Sequence, residues 1–327
     1  MSVTRKMKVS LKTSVLKVPF KITGCTFVSI DLVTVQISEN GQTGKGEGAS
    51  VFYMGENGKS ILAQVKSIQS QIESGVNRDQ LQALLPAGGA RNAIDCALWD
   101  LEAKLSGKNI WQLCNIQPAL TVTSMTVGID TPEAMARNSL LLDSPKIKVK
   151  LDAELPLERI SAIRAVCPNA EIIVDINQGW TFEQLVELAP KFKALDVSMI
   201  EQPLPRGADE QLENYKSPIT LCADESCLDT SDFEQAARRY QMINIKLDKT
   251  GGLTEALTLA GMAQTRGIEL MVGNMLGTSL AMAAGFVIAQ MCRHVDLDGA
   301  LFLKKDCEHP MSYTGGIVSA PSPELWG

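Results

Sequence analysis

Residues 146–152 read KIKVKLD, and the ending KLD returns 96 residues later in MINIKLD, 242–248. Isoleucine, valine and leucine at alternate positions predict a strand with one apolar face, while Lys146, Lys148 and Lys150 occupy the other. Ammonium groups on a strand inside a compact chain must reach water or have work to do, because an unpaired buried charge is expensive. Two strands of one kind, far apart in the chain, also imply a repeating architecture.

The repeat is visible on both sides of that stretch. Short apolar runs recur at 121–129, 146–151, 171–176, 197–202, 219–224, 242–247, 268–273 and 294–299, each followed by room for one helix. Helix starts are signalled by Thr131 before Pro132 and by two capping boxes, Thr181 with Gln184 and Ser231 with Glu234. Eight such βα units predict an α/β fold, a modified TIM (β/α) barrel over 119–304, with a weak last unit in ALFLKKDCEHP. Residues 1–118 read differently, as an α+β unit. Strands are expected at 7–18 and 27–38, with the turn ENG (39–41), and a helix at 90–105 whose Ile94, Ala97, Leu98, Leu101 and Leu105 form one buried stripe. The tail from about 305 to 327 is expected to return to this N-terminal unit. A doubly wound open sheet is the competing architecture, but no GxGxxG opens a helix and no Walker A sequence is present; the glycines of GKGEG (44–48) read as turn residues.

Composition removes several classes of function. A chain of 327 residues with 45 % hydrophobic residues can bury a large core, and a net charge of −6 disfavours nucleic acid and anionic membranes as partners. No apolar run approaches the ~20 residues needed to span a bilayer, and MSVTRKMKVSLK lacks the apolar centre of a signal peptide, so a cytoplasmic protein is expected. The eight cysteines form no CxxC pair and read as reduced core thiols. With His294 and His309 as the only histidines, a three-histidine zinc site is excluded. The chemistry falls to carboxylates and lysines acting on a small molecule.

In barrels of this kind the chemistry sits at the C-terminal ends of the strands. Those ends carry Lys150, Asp175, Glu201, Asp224 and Lys246, at intervals of 25, 26, 23 and 22 residues, so the five occupy equivalent places in successive repeats. Asp175, Glu201 and Asp224 on adjacent strands converge on one point, where they repel unless a cation lies between them. Oxygen ligands alone favour a hard ion, with Mg²⁺ first. Lys150 and Lys246, four strands apart in a ring of eight, flank that point from opposite sides. A substrate carboxylate there would have an amine on each face of its α-carbon, the arrangement for taking a proton from one face and returning it to the other. A lysine base must be brought from ~10.4 towards ~7–8, and Lys148, on the same face as Lys150, supplies like charge for that purpose.

The segments KVKLD, VDIN, EQP, ADES and NIKLDKTGG resemble those of the muconate-lactonising branch of the enolase superfamily, whose sites pair a Lys or His base with Mg²⁺. LPAGGARNAIDCALWDL, ADESC, INIKLDKTGGLTEAL and VDLDG resemble its dipeptide epimerases, of the L-Ala-D/L-Glu type found in murein-peptide recycling. The resemblance implies a barrel closed by an N-terminal capping domain and one Mg²⁺ on Asp175, Glu201 and Asp224. It assigns acid/base roles to Lys150 and Lys246, with Lys148 the first lysine of a KxK motif. It also implies a DxD motif at Asp296 and Asp298 that holds the dipeptide's α-ammonium.

One position departs from the pattern. Glu-specific members carry an arginine after the first capping strand, where this chain has Gly24 in PFKITGCTF, with Lys21 nearby as a different kind of receptor. Met275 and the loop GASVFYMGEN (48–57), with Phe52, Tyr53 and Met54, are the other candidates for contact with the substrate. Cycloisomerisation or o-succinylbenzoate synthesis at the same site, and a non-catalytic metal-binding barrel, are the alternatives; a homo-oligomer is left open.

Overall fold

The structure, a computed structural model, describes residues 5–327; residues 1–4, which open the stretch read for a leader, lie outside it. Three antiparallel strands come first, β1 (Lys6–Ile22), β2 (Cys25–Glu39) and β3 (Gln42–Ala49). The β2–β3 turn is Asn40-Gly41 with φ 50 and 80, both positive as a two-residue hairpin of right-handed twist requires. Gly44, Gly46 and Gly48 are not turn residues. They lie on β3 against the Gly89–Ser106 helix, where an added Cβ would stand 2.1 Å from Ala97 O, 2.2 Å from Ala93 O and 2.1 Å from Gly89 O. Glycine is what lets helix and strand touch.

That helix is buried on more than one stripe, because its other side meets the barrel: Trp99 Nε1 donates to Thr254 Oγ1 at 3.0 Å. Leu105 departs from the expected stripe; it lies in the last turn before Gly107 and is 39 % exposed.

The second sheet has eight parallel strands: β5 (Met125–Val127), β6 (Lys146–Lys150), β7 (Glu171–Asp175), β8 (Val197–Glu201), β9 (Thr220–Ala223), β10 (Met242–Ile245), β11 (Glu269–Val272) and β12 (His294–Val295). Each lies beside its sequence neighbours, which excludes the doubly wound order. The sheet curls until Ser124 N donates to Val295 O at 2.7 Å, bringing its two edges together. Thr131 and the Thr181–Gln184 box cap their helices. The Ser231 box does not form: Ser231 Oγ turns to Asp229 Oδ1, and the Phe233–Arg239 helix has no side-chain cap. Two gaps lack an α-helix. Glu210–Asn214 between β8 and β9 and Gly299–Phe302 after β12 are 3₁₀ turns, the first preceded by Pro203 and Pro205, which lack the N–H a helix needs.

Past the barrel, β13 (Tyr313–Thr314) and β14 (Ile317–Val318) form a small sheet with β4 (Thr121–Val122). The C-terminus then reaches the Gly89–Ser106 helix, where Gly327 N donates to Asp100 Oδ1 and Trp326 Nε1 to Cys96 O. All eight cysteines are free thiols. Among the described residues no helix is long and apolar enough to cross a membrane.

Candidate active site

The barrel interior changes character along its axis. A lower layer of Ile173, Met199, Cys222, Met242 and Met271 fills the floor with apolar side chains. Above it, β6 turns Lys148 and Lys150 inward, while Lys146 at the strand's first residue stays partly exposed beside Glu171 at 3.2 Å. Ladder pairing sets Lys150 opposite Asp175 and Asp175 opposite Glu201, so neighbouring strand ends bring their charges level. Asp224 and Lys246 each follow the last residue of their strand.

These groups form one buried network. The Lys148 ammonium lies 2.7 Å from Glu201 Oε2, 2.9 Å from Asp296 Oδ2 and 3.1 Å from Asp175 Oδ2. Lys150 Nζ donates to Asp175 Oδ2 at 2.5 Å and to Asn177 Oδ1 at 3.2 Å, and Lys246 Nζ to Asp224 Oδ2 at 2.7 Å. Besides Asn177, Lys249 and Asn244 escaped the sequence reading. Lys249 grips the other Asp224 oxygen at 2.7 Å, and Asn244, two residues before Lys246 as Lys148 is before Lys150, donates to Glu201 Oε1 at 2.7 Å. The matching NIK and KVK spacing was the signal for Asn244; a short helix, Leu247–Thr250, turns Lys249 inward, and strand periodicity does not foresee that.

Charge balance decides protonation here. Burial disfavours the Lys148 and Lys246 ammonium groups, but Asp296 and Glu201 around the first, and Asp224 and Glu201 around the second, outweigh it and hold both above the usual lysine range. At Lys246 the repulsion from Lys148 is outweighed by the attraction of Asp224 and Glu201. Against the penalty of burial, Lys150, Lys148 and Lys246 pull Asp175 down to about 2, and Lys246 and Lys249 hold Asp224 lower still. Glu201 goes the other way, raised by burial and by Asp175. Glu225, also unforeseen, is pushed up to about 8 by burial and then by Asp224 and Asp175. It lies two residues beyond β9, where the chain has left the strand and alternation no longer tells which way a side chain points.

Among the described residues no three Asp, Glu, His or Cys side chains are grouped as a ready-made metal cage, since each carboxylate is turned towards a lysine. The donor set nonetheless suits a hard cation. All its donors are oxygens, and Glu201 Oε2 is buried with no hydrogen bond, the nearby Lys148 being close but not aligned with it.

The network opens into a cavity of about 280 Å³ that reaches up to β1 and β2. Its barrel side carries Lys148, Lys150, Lys246, Asp224, Glu225, Asp296 and Asp298; its upper side carries Phe20, Ile22, Phe27, Ile30, Phe52 and Tyr53, with Met275, Leu276 and Phe302 at one flank. Asp296 and Asp298 face this space from the loop after β12 rather than from one strand face, since that strand ends at Val295. Asp298 Oδ2 accepts from Thr126 N at 2.8 Å, and burial followed by Asp296 pushes its carboxyl up to about 8. Gly24 stands apart. It takes φ 73 in the β1–β2 turn and does not line the cavity; the hairpin presents Ile22 and Phe27 instead, and Lys21 is exposed. Phe52 and Tyr53 line the cavity, whereas Met54 does not and is 37 % exposed.

Residues 5–114 match the mandelate racemase/muconate lactonizing enzyme N-terminal domain, and residues 133–324 match the enolase C-terminal domain-like family. The chain belongs to the enolase superfamily. Within it, the chain is 42 % identical over 316 residues to the L-Ala-D/L-Glu epimerase of Escherichia coli K12, covering 95 % of this chain and 98 % of that one. It is 48 % identical over 244 residues to an N-acetyl-D-glutamate racemase of a Pseudoalteromonas species, covering 74 % and 78 %. A crystal structure of an enolase family member from Agrobacterium tumefaciens, with homology to dipeptide epimerases and with sodium and L-Ala-L-Glu bound, superposes with a TM-score of 0.96 at 39 % identity over 99 % of this chain and 100 % of that one. The dipeptide epimerase of Enterococcus faecalis V583, complexed with Mg and L-Leu-L-Tyr, gives 0.89 at 27 % identity over 98 % of each chain.

Proposed function

We propose that this protein is a Mg²⁺-dependent dipeptide epimerase that inverts the α-carbon of the C-terminal residue by 1,1-proton transfer. The observation that carries this reading is the placing of Lys150 and Lys246 four strands apart around the barrel mouth, with Asp175, Glu201 and Asp224 on the strands between them. Those three acids would hold Mg²⁺, whose charge makes an α-proton beside a carboxylate acidic enough to remove.

The chain's own groups do the rest. One lysine, as the neutral amine, takes the α-proton; the other, as the ammonium, returns a proton to the opposite face. Carboxylates now paired with the lysines set which of them carries a proton at each stage. Asp296 and Asp298 supply a receptor for the α-ammonium: a cation beside them offsets the burial and, after it, the Asp296 repulsion that push the Asp298 carboxyl up to about 8. Residues 1–118 are read as the cap over the mouth. Eight unpaired thiols suit a reducing cytoplasm.

A second substrate has a specific observation in its favour, the 48 % identity to a racemase named for an N-acetyl amino acid. Both substrates are N-acylated amino acids with a free α-carboxylate; they differ in whether an ammonium lies beyond the amide. Asp298→Asn separates them. Under the dipeptide reading it lowers kcat/KM for L-Ala-L-X at least ~10-fold, the scale for loss of a charged hydrogen bond, and leaves N-acetyl substrates untouched. Strong turnover of N-acetyl amino acids alone by the parent protein would move the assignment to them.

A further inference from the structure

Most donors in the cavity are already engaged. Lys148, Lys150 and Lys246 each hold a carboxylate. Tyr53 differs: it lines the cavity, and its hydroxyl oxygen is buried with no hydrogen-bond partner. A buried O–H that donates to nothing is disfavoured, and such a group in a cavity calls for a ligand acceptor.

The phenol is held in place rather than free to swing. Its ring stands edge-on to Phe52 at 5.2 Å, and Phe52 stands edge-on to Phe27 at 5.5 Å. The turn Phe52–Met54 is locked at its end by Gly55, whose φ of 78 lets its N–H donate to Phe52 O at 3.0 Å, and Val51 N donates to Glu56 Oε2 at 2.9 Å. Tyr53 shares this cavity with Asp224 and Glu225 of the barrel mouth; burial, and after it the charges of Asp224, Glu225, Glu201 and Asp175, raise the phenol well above its ordinary range. It is thus a neutral donor on the cavity that also receives Lys150, Asp224 and Lys246.

We propose that Tyr53 is a further catalytic residue, whose O–H donates to an oxygen of the substrate's α-carboxylate and holds it more tightly as the α-proton leaves. The inference rests on the epimerase reading above. In that step the α-C–H bond breaks, its proton goes to a lysine amine and its electron pair spreads onto the two carboxylate oxygens. Tyr53 keeps its own proton throughout, and nothing is oxidised or reduced. A donor that meets growing negative charge acts on kcat more than on ground-state binding.

Tyr53→Phe is the test, because it removes one oxygen and keeps the ring that packs on Phe52. Parent and variant are compared with Mg²⁺ and the parent's best substrate for kcat, KM, the rate of α-deuterium uptake from D₂O and the melting temperature. The expected result is a fall in kcat and in deuterium uptake of on the order of 100-fold, the scale for one oxyanion donor, with KM within about threefold and melting unchanged. An unchanged kcat overturns the proposal, and so does a loss confined to KM, which would make Tyr53 a ground-state contact. A parent inert towards every substrate would instead sink the epimerase reading and the role of Tyr53 with it. An active parent matched by an equally active Tyr53→Phe removes the Tyr53 role alone.

Discussion

The two walls of the cavity obey different rules. On the barrel wall, Lys148, Lys150, Lys246, Asp224 and Asp296 are charged and buried, each within 2.5–3.1 Å of an opposite charge, and are placed by the barrel strands or the residues just after them. On the upper wall, Phe20, Ile22, Phe27, Ile30 and Phe52 are apolar and come from one hairpin and one turn; the acid there, Asp31, accepts from Thr13 at 2.7 Å. On the proposed epimerase reading the first wall supplies reaction chemistry and the apolar residues of the second meet the substrate's side chain. A change on the barrel wall, or at the Tyr53 hydroxyl, should therefore alter whether the reaction runs, and a change at the apolar residues of the upper wall should alter on what.

The largest effects belong to the barrel wall. Lys150→Ala and Lys246→Ala should each lower epimerisation about 10²- to 10⁴-fold, the range for losing an acid/base group. The losses should be one-sided. Each variant should still exchange the α-proton of the single diastereomer that faces its remaining lysine, as followed by ¹H NMR in D₂O. Symmetric loss of exchange from both diastereomers would break the two-base account. Removing metal with EDTA should abolish turnover, and titrating Mg²⁺ back should restore it and raise the melting temperature, because an ion bound only by the folded state stabilises it.

A smaller and opposite kind of effect is expected above. Phe27→Arg should give a side-chain carboxylate the cation that this wall lacks, since among the described residues no arginine lines the cavity. In a competition of L-Ala-L-Glu against L-Ala-L-Leu, kcat/KM should swing towards the Glu substrate by ~10-fold or more, with maximal turnover little changed. An unchanged ratio would mean that this hairpin does not contact the side chain.

The smallest effect lies between the walls and the rest of the fold. Glu47 of β3 accepts from Thr278 N at 2.7 Å and from Thr278 Oγ1 at 2.9 Å, and burial raises its carboxyl from 4.5 to about 7. A folded-state pKa above the unfolded one means that the contribution is full below pH 4.5 and fades as pH rises through 7. Chemical denaturation of Glu47→Gln across pH 4–8 should therefore show less loss of stability between those values than the parent does.

The difference between the walls also explains what the sequence disclosed. The strand-end charges repeat at nearly constant intervals, so Lys150, Asp175, Glu201, Asp224 and Lys246 could be placed before any coordinates, and the ring of strands with them. No such period governs the β1–β2 hairpin. Its register slips between Val15 and Phe20, and only the likeness to Glu-specific relatives points to Gly24, whereas the cavity receives Ile22 and Phe27. GKGEG looked like a turn because local preference favours glycine there; the close approach of the Gly89–Ser106 helix, a tertiary fact, is what requires it. Lys249 and Glu225 stayed hidden because each lies just past a strand, where alternation stops.

The central claim is α-proton exchange at a site built from opposed lysines. The most direct measurement is incubation of the Mg²⁺-loaded protein in D₂O with a panel of L,L-dipeptides, following the C-terminal α-proton by ¹H NMR and mass spectrometry. The account predicts uptake of one solvent deuterium at that carbon together with appearance of the L,D diastereomer. A folded, metal-loaded protein that exchanges no α-proton in any member of the panel would contradict it.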